Sequence, residues 1–122
     1  MNLRRVTGVA ATTAAMVGAM VAFGSPAQAA SSCVSTGSGS FCVYTDPAGY
    51  DVSYHKISGA TALVDFNLVC DNGRTFGDGG AFYIAAGQQK TYTFAVGSQG
   101  ACRGKLIDKN TGTYWLTGRV SR

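Results

Sequence analysis

Beyond residue 30 the apolar positions recur every second residue, not every third or fourth. Tyr50, Val52 and Tyr54 alternate with Asp51, Ser53 and His55. Val64, Phe66, Leu68 and Cys70 share a face, with Asp65 and Asn67 on the other. Tyr92, Phe94 and Val96 alternate with Thr91, Thr93 and Ala95. A period of two sends successive side chains to opposite faces of an extended strand. Shorter segments of this kind run over 41–44, 75–76, 81–85, 102–107 and 113–117. Turn-forming stretches separate them: Asp46-Pro47-Ala48-Gly49, Ser58-Gly59, Asp71-Asn72-Gly73, Gly77-Asp78-Gly79-Gly80, Gly87, Gly97-Ser98-Gln99-Gly100 and Asp108-Lys109-Asn110-Thr111-Gly112. Asn, Asp and Gly tolerate the backbone conformations that tight turns demand. About seven or eight short strands at roughly 8–12-residue spacing predict an all-β fold, a small antiparallel β-sandwich or barrel. No helical stripe appears in this region. Alternation predicts Phe66, Phe82 and Phe94 in the core, and Ser31-Ser32 and Gly118–Arg122 as loose tails.

Residues 1–29 follow a different rule. Arg4 and Arg5 precede an apolar stretch from Val6 to Phe23, Ser25-Pro26 breaks it, and Ala27-Gln28-Ala29 offers small-x-small residues. This is the layout of a secretory signal peptide, with cleavage expected after Ala29 or Ala30. Gly8, Gly18, Thr7, Thr12 and Thr13 interrupt the stretch, and no basic cluster follows it, which weighs against a membrane anchor. The prediction is therefore a leader over 1–29 and a single secreted β-sandwich domain over 30–122. Losing Arg4 and Arg5 lowers the formal charge from +4 to about +2. The remaining basic residues are scattered, and such a domain is a poor partner for nucleic acid. Nor is a membrane partner expected once the leader is gone.

Export changes the meaning of Cys33, Cys42, Cys70 and Cys102. In an oxidising compartment they are half-cystines, and no C-x-x-C pair suggests zinc. Of the three pairings four cysteines allow, the sequence favours Cys33–Cys42 and Cys70–Cys102. The first pair flanks the turn-forming Gly37-Ser38-Gly39-Ser40, and the second ties two later strands. Chain entropy values these loops at about 2.7 and 3.7 kcal/mol. In a sandwich, Cys70 and Cys102 are expected on inward faces of opposing sheets.

Catalytic chemistry finds little material. There is no Glu and one His. His55 falls on the polar face of its strand, and no Gly-x-Ser-x-Gly elbow exists. Asp46, Asp71, Asp78 and Asp108 stand in turns, where Asp caps backbone amides, and Asp65 falls on a polar face. The oxygens of Asp71-Asn72-Gly73 and Asp78-Gly79-Gly80 could attract calcium, but they do not match a spaced ligand loop. No enzyme activity, cofactor or metal is expected.

Binding chemistry is better supplied. Six Tyr, five Phe and Trp115 follow the leader. Tyr and Trp anchor protein interfaces and stack on sugar rings. Tyr50, Tyr54, Tyr83, Tyr114 and Trp115 are the candidate binding residues. On a strand Tyr114 and Trp115 must point to opposite faces, so one of them should be exposed.

Two resemblances bear on the format. Phe82-Tyr83-Ile84-Ala85-Ala86-Gly87-Gln88-Gln89-Lys90-Thr91-Tyr92-Thr93-Phe94 resembles a segment of bacterial immunoglobulin-like sandwiches. There a strand ends, Gly turns the chain and an edge strand begins. The region after the leader is also similar to the tendamistat group of secreted α-amylase inhibitors, small two-disulfide β-sandwiches exported by actinomycetes. Their binding triplet, Trp-Arg-Tyr, has no counterpart here, because the only Trp stands in Tyr114-Trp115-Leu116. The resemblance implies architecture and leaves the inhibitory site behind. The expectation is a monomeric, non-catalytic binding protein for an extracellular protein, such as a hydrolase it inhibits. The alternatives are a carbohydrate- or cell-wall-binding module and a secreted structural protein. A presenting element is expected at the 77–80 loop or the 46–49 turn.

Overall fold

Turns at glycine, asparagine and proline cut the chain into short extended segments. In the computed structural model, which describes residues 30–122, these segments pair into two antiparallel sheets. In chain order the strands are β1 (Ser31–Ser35), β2 (Gly39–Asp46), β3 (Gly49–Lys56), β4 (Ala62–Cys70), β5 (Thr75–Gly77), β6 (Phe82–Ile84), β7 (Gln89–Phe94), β8 (Ala101–Asp108), β9 (Tyr114–Leu116) and β10 (Val120–Ser121). One sheet has four strands in the order β1-β2-β3-β7. The other has six: β10-β8-β4-β5, with β6 also on β4 and β9 also on β8. No helix occurs among the described residues. The leader expected over 1–29 lies outside the described residues.

The sheets face each other across one core. The four-stranded sheet contributes Phe41, Val43, Tyr50, Val52, Tyr54 and Phe94, and the six-stranded sheet Val64, Phe66, Leu68, Ile84 and Leu106. Phe41 stacks on Phe66 across the gap, with ring centroids 5.8 Å apart, and Phe66 meets Phe82 edge-on at 4.9 Å. Gly104, buried on β8, makes room for this packing. A Cβ there would lie 3.0 Å from the Phe41 ring and 3.2 Å from Val52 Cγ1. Polar bridges close one end. The Arg122 guanidinium donates to the carbonyls of Asp46 and Pro47 in the β2–β3 turn, and to Ser98 Oγ.

Three expectations need correction. Among the described residues there are ten strands, not seven or eight, because both presumed tails are strands. In β1, Ser32 and Val34 face inward beside Val43 and Phe41, while Cys33 faces out. In β10, Val120 is 1% exposed and pairs with Cys102. One inward apolar side chain and a ladder partner suffice to order such a segment, and neither is visible as periodicity. The disulfides pair as expected, Cys33–Cys42 and Cys70–Cys102. Cys70 and Cys102, however, are direct neighbours on β4 and β8 of the same sheet, with Cα atoms 4.0 Å apart. The close, non-hydrogen-bonded position of an antiparallel ladder brings side chains near enough for a bridge within one sheet. Cys33 and Cys42 occupy the same kind of position, on the outer face of the four-stranded sheet.

Candidate functional site

The candidate aromatic residues separate into two groups. Tyr50 and Tyr54 lie in the core, 0% and 3% exposed, and leave the candidate set. They share the inward face of β3 with Val52, so the alternation that aligned them also buries them. The Tyr50 hydroxyl donates to the Gly100 carbonyl at 2.7 Å and accepts from the Gln99 N–H at 2.9 Å. It thereby holds the loop ahead of β8. The Tyr54 hydroxyl lies 3.1 Å from both Thr36 Oγ1 and Ser38 Oγ in the β1–β2 turn. Trp115 stands opposite Leu106 on the inward side and packs, partly buried, against the core. Its neighbour Tyr114 points outward.

Tyr83 and Tyr114 remain, 69% and 54% exposed. Register places both on the outer face of the six-stranded sheet. Tyr83 on β6 is opposite Leu63 of β4, and Tyr114 on β9 is opposite Ile107 of β8. Leu63 and Ile107 alternate with the buried Val64 and Leu106, so they face outward. From β6 through β4 and β8 to β9 is three strand spacings, about 14 Å across the sheet. Between the tyrosines the face is partly buried and mixed. Leu63, Ile107 and Leu116 lie beside Asp65, Asn67, Arg103 and Lys105. The Lys105 ammonium sits 4.5 Å from the centroid of the Tyr114 ring, a cation–π contact that fixes the ring and occupies one side of it.

The 77–80 loop borders this face. There the Asp78 carboxyl meets Asp65, projecting from β4. Desolvation, and then the neighbouring Asp65 carboxyl, raise Asp78 above its usual range, because burial and a second carboxylate both disfavour its charged form. Asp78 Oδ1 also accepts from the Gly80 N–H at 3.2 Å. A second carboxyl pair lies on the opposite side of the molecule. Asp51, on the outer face of β3, is raised by desolvation and by Asp46, against the lowering effect of a hydrogen bond from Thr93. The other presumed presenting element, the 46–49 turn, is the one held by Arg122. Asp46 Oδ1 accepts from Ala48 N–H at 2.8 Å within it.

The remaining reactive groups are dispersed. His55 is exposed on the outer face of β3, opposite Ser40 and Gln89, as its alternation required. The nearby Ser53 hydroxyl accepts from Gln89 Nε2 at 2.9 Å and Thr91 Oγ1 at 3.2 Å. The oxygens of the 71–80 segment point to separate partners. Asp71 pairs with Arg119 at 2.9 Å, Asn72 Oδ1 takes the Arg74 N–H, and Asp78 faces Asp65. Among the described residues no set of three or more His, Cys, Asp or Glu is gathered around a point, and no cavity is found. The aliphatic residues between Tyr83 and Tyr114 were missing from the sequence-based candidates. Their signal was present in the strict alternation of Leu63 with Val64 and Ile107 with Leu106. Comparison with protein-family models, with curated proteins and with solved structures returns no match for this chain.

Proposed function

We propose that the chain is a non-catalytic binding protein of the extracellular space, and that it engages a protein target through the outer face of the six-stranded sheet. The observation that carries this reading is the placement of Tyr83 and Tyr114 on one face, with Leu63, Ile107 and Leu116 between them. Aromatic and arginine side chains around an apolar centre are the composition of a protein interface. A stapled sheet loses little conformational freedom on docking, so more of the contact energy appears as affinity. Asp65 on β4 and Asp78 in the bordering loop share this face with Arg103 and Lys105 of β8, and such a mixture of charges selects one orientation of a charged partner. The two disulfides are compatible with an extracellular setting.

A secreted hydrolase, held or inhibited at this face, is the first partner class to test. Immobilised protein is incubated with the producer's culture medium, and captured proteins are compared with those held by Tyr83→Ala and Tyr114→Ala variants. Specific capture lost in both variants supports the reading. Capture that survives both overturns it. The polysaccharide reading rests on Tyr83, whose ring carries no cation among the described residues. Retention on cellulose or chitin, abolished by Tyr83→Ala, would establish that reading in its place.

A further inference from the structure

We infer that a second copy of this chain docks along β7, continuing the four-stranded sheet across a two-fold axis. This inference concerns the edge of one sheet and is independent of the face proposed above.

β7 ends the order β1-β2-β3-β7 and pairs only with β3 among the described residues. It is the longest of the outermost strands, and five of its six residues are exposed. Antiparallel ladders alternate, so half of an edge strand's peptide groups face its neighbour and half face away. The parity is fixed here. Cys33 and Cys42 form a close, non-hydrogen-bonded pair, so Cys42 directs its peptide groups at Ser53. Ser53 then turns its own groups toward β2 and away from Thr91. The bond from Lys56 N–H to the Gln88 carbonyl agrees, because it places the even-numbered residues toward β3. The N–H and C=O groups of Gln89, Thr91 and Thr93 therefore point outward, and no other described strand pairs with this edge. No proline blocks this edge, and one lysine guards it. An edge of this kind is a template for another strand.

The side chains select the occupant. If β7 meets itself antiparallel about Thr91, Thr91 faces the partner's Thr91 and Gln89 faces the partner's Thr93. Every outward peptide group is then used. Between them, on the side that faces the core, Lys90 stands opposite the partner's Tyr92, and the pairing repeats by symmetry. Tyr92 is 38% exposed and its ring rests edge-on against Phe94 at 4.9 Å, so it offers a fixed ring to a cation. Sliding the register two residues one way brings the lysines face to face, which is repulsive. Sliding it the other way sets Gln89 against Ala95, past the end of the strand. A self-complementary pattern of charge and ring thus coincides with the one register that satisfies the open backbone. The resulting dimer would present two copies of the tyrosine-bearing face of the other sheet.

The test uses the full chain, expressed with export to an oxidising compartment, and sedimentation equilibrium. Wild type should show a reversible monomer–dimer equilibrium. The amides of Gln89, Thr91 and Thr93 should exchange more slowly as concentration rises. Thr91→Lys and Thr91→Glu each place like charges across the two-fold axis, and each should weaken association by about tenfold or more. An equimolar mixture of the two should restore it. Thr91 is exposed, so both variants should keep the wild-type circular dichroism. A wild-type chain that stays monomeric up to about 1 mM overturns the inference. So does a dimer that is indifferent to both variants.

Discussion

Replacing Tyr50 with Phe removes one oxygen from the core and leaves the ring. The structure assigns that oxygen a double role, donating to the Gly100 carbonyl at 2.7 Å and accepting from the Gln99 N–H at 2.9 Å. The carbonyl keeps a second partner, the Arg122 N–H at 3.3 Å. Among the described residues the Gln99 N–H has no other. The loss is therefore one hydrogen bond together with one amide left unpaired in a partly buried site, about 2 kcal/mol in all. For a domain of this size that lowers Tm by about 10 °C. Urea unfolding of the oxidised protein, followed by Trp115 fluorescence, should show a lower midpoint at an unchanged slope, since the surface exposed on unfolding is the same. Tyr54→Phe is the control. Among the described residues its hydroxyl meets only the Thr36 and Ser38 hydroxyls, which can turn toward water, so the loss should be about 1 kcal/mol or less. If Tyr50→Phe lies within about 0.5 kcal/mol of wild type, or matches Tyr54→Phe, the hydroxyl is not what holds the 97–100 loop.

Gly104→Ala should destabilise the fold by about 1–3 kcal/mol in the same assay, because the new methyl meets the Phe41 ring and Val52. Removing the buried bridge with Cys70→Ser and Cys102→Ser together should lose about 2–5 kcal/mol. In mild reductant, mass spectrometry after alkylation should show Cys33–Cys42 opening first, since Cys33 is exposed and the other bridge is buried. Asp78 holds its proton more tightly in the folded state than in the unfolded chain, where the ordinary value is 3.8. Its contribution to stability is therefore full below that value and is lost as pH rises through the elevated folded pKa. Asp78→Asn should accordingly gain on wild type as pH climbs from acid to neutral, and an unchanged pH profile would refute the carboxyl pair. Tyr83→Ala and Tyr114→Ala should leave stability within about 0.5 kcal/mol of wild type in urea, whatever they do to capture.

The long strands were legible because both faces of each are strongly marked. β3, β4 and β8 set buried apolar residues against polar or partly exposed ones, and the period of two survives any reasonable choice of ends. Cysteine pairing was legible for a related reason, since a short turn-forming stretch between Cys33 and Cys42 leaves the chain little choice. What the sequence obscured was decided by neighbours distant along the chain. β1 carries serines on both faces and becomes a strand because β2 supplies a ladder and Cys42 a bond. Val120 is one valine among polar residues, and its ladder pairing with Cys102 on β8 is what makes it a core residue. Tyr50 and Tyr54 were candidates by residue type, although Val52 between them already marked their face as the inner one. The tyrosine-bearing face needed the sheet order, because β6 and β9 are far apart in sequence and meet only through β4 and β8.

Each disulfide stays within its own sheet, so no sulfur bridge spans the seam between them. Across that seam the molecule relies on ring stacking, aliphatic contact and a few polar bridges such as that of Arg122. Hydrocarbon contact loosens in the cold, whereas a covalent staple does not. On chilling, or under hydrostatic pressure, the oxidised protein should part like a book along its spine, its two pages still individually stitched.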